Sequence, residues 1–169
     1  MMRTILFGIT LWGLSGAAFA QNFDQTSPVT QAEAAKIFGQ MELALLRVVG
    51  VTPQPRKFVL NGDAPITRAM VAQEFHRYFL AAKPKFKITP RPVHFDPNHL
   101  RTRNKEGAVE VETLVKWGFI GPVTPVAIGP EDTVDLRIFG DAVGFFLSRL
   151  AELTHMPSTK FSPYMMRGD

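Results

Sequence analysis

The chain has 169 residues, of which 46% are apolar, and its 19 basic and 15 acidic side chains give a net charge of +4. It contains no cysteine, which excludes disulfide bonds, thiolate metal sites and a cysteine nucleophile. The length suits one domain with a substantial core, and this modest positive charge does not by itself indicate a nucleic-acid partner.

The first 20 residues have the pattern of a removable export signal. Arg3 supplies a positive charge, residues 5–14 are an apolar stretch too short to span a bilayer, and residues 18–20 (Ala-Phe-Ala) fit a cleavage site. We therefore expect a mature protein in the periplasm, the cell envelope or the extracellular space. No later apolar run is long enough for a transmembrane span.

The rest of the chain aligns with itself at an offset of 68 residues, so that residues 41–79 match residues 109–147 without a gap. Gly50 falls on Gly118 and Phe75 on Val143. Each copy reads as a helix, a short extended segment and a second helix. The sequence thus predicts an all-α fold of two tandem repeats, packed as a small helical bundle.

In the first copy, Thr30 and Glu33 form the T-x-x-E pattern of a capping box, and the helix is expected to end at Gly50. Residues 58–60 are predicted to be extended. The second helix should begin at the N-cap Thr67. Its predicted buried face consists of Val71, Phe75, Tyr78, Phe79 and Ala82.

In the second copy, Asp96 is predicted to open one continuous first helix that ends at Gly118, and residues 126–128 are predicted to be extended. Asp135 should cap the last helix. Its predicted buried face consists of Phe139, Val143, Phe146, Leu147 and Leu150.

These elements divide the chain into five parts. Residues 1–20 are the signal, 21–82 the first repeat, 83–94 a linker, 95–153 the second repeat and 154–169 a flexible C-terminal tail. Prolines and lysines in the linker predict an extended, solvated segment.

Three short segments resemble S-layer homology domains. Residues 61–70, NGDAPITRAM, resemble the segment of that family in which a T-R-A-E signature opens the second helix. Residues 95–97, FDP, are similar to its F-x-D-V-P opening, and residues 114–120, LVKWGFI, to its L-V-x-x-G-I-I helix end. The resemblance covers residues 27–150. It implies a non-catalytic helical module that docks proteins onto envelope polysaccharide, often a pyruvylated polymer.

Thr67 and Arg68 match the first two positions of that signature, while Met70 stands at its acidic fourth position. A helix N-terminus offers unpaired amides and positive potential, and an arginine beside it suits a carboxylate. Thr67 and Arg68 are therefore the candidate residues for binding anionic polysaccharide. The alternative is that Thr67 only caps the helix and Arg68 is a solvated surface residue.

Two other functions remain open from the sequence. The helical faces could serve protein–protein contacts in a structural envelope protein. His94, Asp96 and His99 lie close together and are weak candidates for a metal site, although Asp96 is already explained as a cap. No phosphate loop, nucleophile elbow or zinc-protease motif is present in the sequence, so neither an enzyme nor a cofactor is expected.

The export hypothesis makes a direct prediction. The protein recovered from its native host should begin at Gln21, because the signal is removed after Ala20. Intact-mass measurement of the native protein reports this cleavage. A full-length chain retained in the cytosol would contradict the expected location in the envelope.

Overall fold

The computed structural model describes residues 26–60, 62–91 and 93–165, so the proposed export signal lies outside the described residues. The described residues form an all-α bundle without β-strands, as predicted. Its α-helices are α1 (Gln31–Ala44, continued by a π-helical turn at Leu45–Val49), α2 (Arg68–Ala82), α3 (Pro97–Arg103), α4 (Ala108–Lys116), α5 (Pro125–Ile128) and α6 (Leu136–Thr154). Short 3-10 turns lie at Lys83–Lys85, Ser158–Lys160 and Ser162–Tyr164.

The predicted caps are confirmed. The Thr30 hydroxyl accepts from the Glu33 amide and the Glu33 carboxylate accepts from the Thr30 amide, which completes the capping box. Thr67 and Asp135 likewise accept from the amides three residues further on. Each cap satisfies an amide that would otherwise have no partner inside its helix.

Three helix starts meet in a closed ring of backbone pairs. The three-residue segments 28–30, 65–67 and 133–135, which precede α1, α2 and α6, form the helix-start triangle. Each segment is paired with the other two, because its last residue forms an antiparallel bridge with the first residue of the next segment. The pairs are Thr30 with Pro65, Thr67 with Thr133, and Asp135 with Pro28. The middle residues Val29, Ile66 and Val134 are at most 1% exposed and fill its centre.

The first amide of each of these helices has a partner in the neighbouring segment. Gln31 donates to the Ala64 carbonyl at 2.8 Å, Arg68 to the Asp132 carbonyl at 2.7 Å, and Leu136 to the Ser27 carbonyl at 3.2 Å. Of these three helix starts, the offset of 68 residues relates only those of α2 and α6. The structure adds the start of α1 as a third equivalent, and this ring fixes the relative positions of the three helices.

Aromatic side chains fill the space between these helices. Phe38 of α1 lies 5.4 Å from Phe139 of α6, and Phe75 of α2 lies 4.7 Å from Phe146 of α6, measured between ring centroids. The predicted faces of α2 and α6 are buried throughout, including the repeat-related pair Phe75 and Val143. Full burial of a phenylalanine or valine side chain stabilises the folded state by roughly 1.5–3 kcal/mol.

The first helix of the second copy is not continuous as predicted. It is broken between α3 and α4, where Gly107 adopts a left-handed φ of 74° that favours glycine. The break places the buried Asn104 at the start of α2, where it contacts Arg68. The local sequence pattern gave no sign of this contact. The predicted end of the helix is correct, since Gly118 and its repeat partner Gly50 both have left-handed φ values, 71° and 75°.

Two other local predictions are wrong. Residues 126–128 belong to the short helix α5, which begins at Pro125, a favourable first helical residue. The tail is packed as far as it is described, since Phe161 is fully buried. Most described residues of the linker are exposed, as predicted, but Phe86 packs against the core. The contacts of Phe86 and Phe161 with the core are long-range and are not visible in a local sequence pattern.

Candidate functional site

Arg68, the candidate anion-binding arginine, is buried rather than solvated, with only 5% of its surface exposed. Its Nε donates to the Glu131 carbonyl at 2.6 Å and one Nη donates to the Arg103 carbonyl at 3.2 Å. The other Nη donates to Asn104 Oδ1 at 3.1 Å and to the Ala127 carbonyl at 3.4 Å. The guanidinium therefore joins the start of α2 to the α3–α4 turn, to α5 and to the loop before α6.

Asn104 completes this buried polar junction. Its amide nitrogen donates to the Leu100 carbonyl at 2.9 Å and to the Ala127 carbonyl at 2.6 Å, while its oxygen accepts from Arg68. Both side chains are 5% exposed, and an unpaired polar group at such depth would cost about 1–3 kcal/mol. The sequence did not identify Asn104, because its partners lie 4, 23 and 36 residues away.

Thr67 is the N-cap of α2 and also lines a groove. Its hydroxyl accepts from the Met70 amide at 3.2 Å, and the Arg68 amide donates to the Asp132 carbonyl. Two of the first three amides of α2 are thus already paired, which weakens the expected attraction of this helix start for an anion.

The groove beside α2 has a volume of about 410 Å³. It is lined by the start of α2, by the α3–α4 turn and by Asp132; the lining residues are Thr67, Arg68, Ala69, Thr102, Arg103, Asn104, Lys105, Glu106 and Asp132. Arg103 and Lys105 are exposed and supply its accessible positive charge. Glu106 and Asp132 oppose it, and the Asp132 carboxylate is 96% exposed and 3.7 Å from Arg68.

A second groove of about 410 Å³ lies at the start of α6. Its described lining contains three prolines and the acids Glu131 and Asp135, and no lysine or arginine. Leu136 occupies the first helical position there, where α2 has Arg68. The two helix starts therefore share a backbone arrangement but differ in the charge they present.

The histidine cluster is not assembled into a metal site. His94, Asp96 and His99 are all exposed, and Asp96 accepts from the Asn98 amide at 2.9 Å as the cap of α3. Among the described residues, no group of three or more metal-binding side chains converges.

A further ionic cluster, which the sequence reading missed, lies between α1, α2 and the preceding loop. The carboxylate of Glu74, a 1% exposed residue, lies 2.8 Å from Arg56 Nε and 2.7 Å from Arg77 Nη2. Arg77 also pairs with Glu42. Burial alone would lower the pKa of Arg77, but its hydrogen bonds to Glu74 and Glu42 raise that pKa above its usual value. This cluster holds its carboxylates in charged pairs and favours a structural role over proton transfer.

Comparison with known proteins gives no match to a family model, to a curated protein or to a solved structure. Within the described part of the chain, none of the helices combines the length and the apolar composition that a membrane span requires.

The burial of Arg68 implies that its side chain stabilises the fold. Replacing Arg68 with alanine strips a hydrogen-bond partner from Asn104 and from three backbone carbonyls, so Arg68→Ala should lower the free energy of unfolding by about 3 kcal/mol. Chemical denaturation measures this change. The control is Arg137→Ala, which removes an exposed arginine from the first turn of α6. Equal, small effects of both variants would contradict the buried junction.

Proposed function

We propose that the protein is a non-catalytic, exported envelope protein that binds anionic polysaccharide in the groove beside α2. The observation that carries the proposal is the position of Arg103 and Lys105, two exposed cations that line a groove together with the start of α2. The resemblance to S-layer homology domains supports the same ligand class. Thr67 and Arg68, which match the first two positions of that family's signature, line this groove.

In this proposal Arg68 is a positioning residue, whereas the sequence pattern predicted that it contacts the ligand. Its donors are already occupied by carbonyls and by Asn104, so it positions the groove and does not offer a free fork to a ligand. Arg103 is held at the groove through its own carbonyl, which accepts from Arg68. Its guanidinium is exposed, as is the Lys105 ammonium. These two side chains are the proposed ligand contacts.

The groove carries both signs of charge. Its lining includes the acids Glu106 and Asp132 as well as the cations Arg103 and Lys105, which suits a ligand with both hydroxyl and carboxylate groups. Sugar hydroxyls can donate to Asp132, while a pyruvyl or uronic carboxylate meets the cations. A uniformly anionic polymer would be repelled by Asp132 and Glu106, so the proposal favours a polysaccharide with separated charges.

The test measures binding of the purified protein to isolated cell-wall polysaccharide, with and without its acidic substituents. The double variant Arg103→Ala/Lys105→Ala should weaken binding roughly 10- to 100-fold, since it removes charge-assisted hydrogen bonds while leaving Arg68 in place.

The matched control is Arg137→Ala/Lys57→Ala, which removes one exposed arginine and one exposed lysine outside the groove. It should bind like the wild type. Equal losses from both double variants would indicate diffuse attraction instead of a site. A wild-type protein that binds neither polymer would contradict the proposal and favour protein–protein contacts through the helical faces.

A further inference from the structure

The segment that follows α2 is anchored across the far end of the bundle. Residues 83–88, Lys-Pro-Lys-Phe-Lys-Ile, form what we call the lysine strap. The Phe86 ring lies 5.6 Å from the Trp117 ring at the end of α4, and the Lys87 amide donates to the Leu153 carbonyl of α6 at 2.7 Å. The strap is therefore fixed to the C-terminal ends of α2, α4 and α6.

The strap and the end of α4 present positive charge without nearby compensation. Lys83, Lys85, Lys87 and Lys116 are exposed, and in the described part of the chain no carboxylate pairs with any of them. Glu152, the acid of the last turns of α6, is held by Arg149 at 2.6 Å. We call these four lysines, together with Phe86 and Trp117, the basic end.

Helix capping explains only part of this charge. Lys83 and Lys116 lie at the ends of α2 and α4, where a cation complements the negative end of the helix dipole. Lys85 and Lys87 lie beyond the end of α2, so the dipole does not account for them.

The aromatic residues of the basic end are not available as a stacking platform. The Trp117 ring lies 5.3 Å from Phe79, 5.6 Å from Phe86 and 5.4 Å from Lys83 Nζ. A nucleobase or a sugar needs an open ring face, whereas Trp117 is partly buried against these neighbours. Half-buried aromatic rings beside long, exposed lysines suit a lipid–water interface, where the apolar bodies and the charged tips meet different layers.

The opposite end of the bundle differs in charge. The loops and caps around the helix-start triangle carry the acids Glu33, Asp63, Glu131, Asp132 and Asp135, and beside them lie the exposed cations Arg103, Lys105 and Arg137. Because this end carries both signs of charge while the lysines of the basic end have no paired acid among the described residues, a negative surface attracts the basic end more strongly.

We propose that the basic end docks onto the surface of an anionic phospholipid bilayer. The lysines contact the lipid phosphates, and Ile88, which is 37% exposed, lies beside them as an apolar contact. This docking uses none of the residues that line the groove beside α2, so it does not depend on the proposed polysaccharide binding.

The test is sedimentation of the purified protein with vesicles of phosphatidylcholine alone or of phosphatidylcholine mixed with phosphatidylglycerol. Binding should require phosphatidylglycerol and should fall sharply between about 0.1 M and 1 M salt, as the Debye length shrinks from about 10 to 3 Å. Lys85→Gln/Lys87→Gln should lower the partition coefficient roughly 5-fold per lysine, or about 25-fold for the pair.

Two controls separate this docking from other sources of binding. Lys36→Gln/Lys57→Gln removes the same charge from two exposed lysines outside the basic end and should bind vesicles like the wild type. Arg103→Ala/Lys105→Ala should also retain vesicle binding, even if polysaccharide binding is lost. Equal losses from the two lysine pairs would overturn the proposal. Binding to soluble anionic polysaccharide or single-stranded nucleic acid through Lys85 and Lys87, without vesicle binding, would also overturn it.

Discussion

The structure depends on the closed ring of hydrogen bonds that joins the starts of α1, α2 and α6. A helix normally leaves its first amides without partners inside the helix, and buried amides without partners are costly. Here the first amide of each helix donates to the backbone of the neighbouring segment, so that the three helix starts satisfy one another. Val29, Ile66 and Val134 then bury the centre of the ring. The same contacts that satisfy the amides also fix how the helices diverge around their aromatic core.

The ring also explains why the first helical position can change its chemistry without changing the fold. Gln31, Arg68 and Leu136 all make the same backbone contact through their amides. Their side chains take no part in this contact, so each can interact with the residues around its own helix start. At α2 the donation to Asp132 brings residues 131–132 over the arginine, which then forms its buried junction with Asn104. At α6 the first residue is Leu136, and the groove beside this helix start is lined by apolar and acidic residues.

Local chemistry made much of the fold predictable. The capping pattern at Thr30, the N-caps Thr67 and Asp135 and the C-terminal glycines act within a few residues, and all are confirmed. The exposure of Arg68 was predicted wrongly because its partners include the Glu131 carbonyl, 63 residues away. The break at Gly107 was missed because one glycine inside a helical pattern does not by itself mark the end of a helix; here Gly107 has a left-handed φ of 74°.

Two ends of different chemistry follow from this architecture. The starts of α1, α2 and α6 gather at one end, and the lysine strap lies across the other, where helix carbonyls favour cations. The proposed polysaccharide groove lies beside the first end and the proposed lipid contact at the second. A molecule arranged in this way could bind polysaccharide and a bilayer surface at the same time, because the two sites share no residues.

Native-state hydrogen exchange at the three first amides tests the ring most directly. If it holds the bundle together, the amides of Gln31, Arg68 and Leu136 exchange as slowly as amides in the middle of α2 and α6. The first-turn amide of Val109 in α4, whose side chain is 70% exposed, should exchange fast in the same sample. Fast exchange at the three ring amides, with slow exchange confined to the helix interiors, would contradict the account.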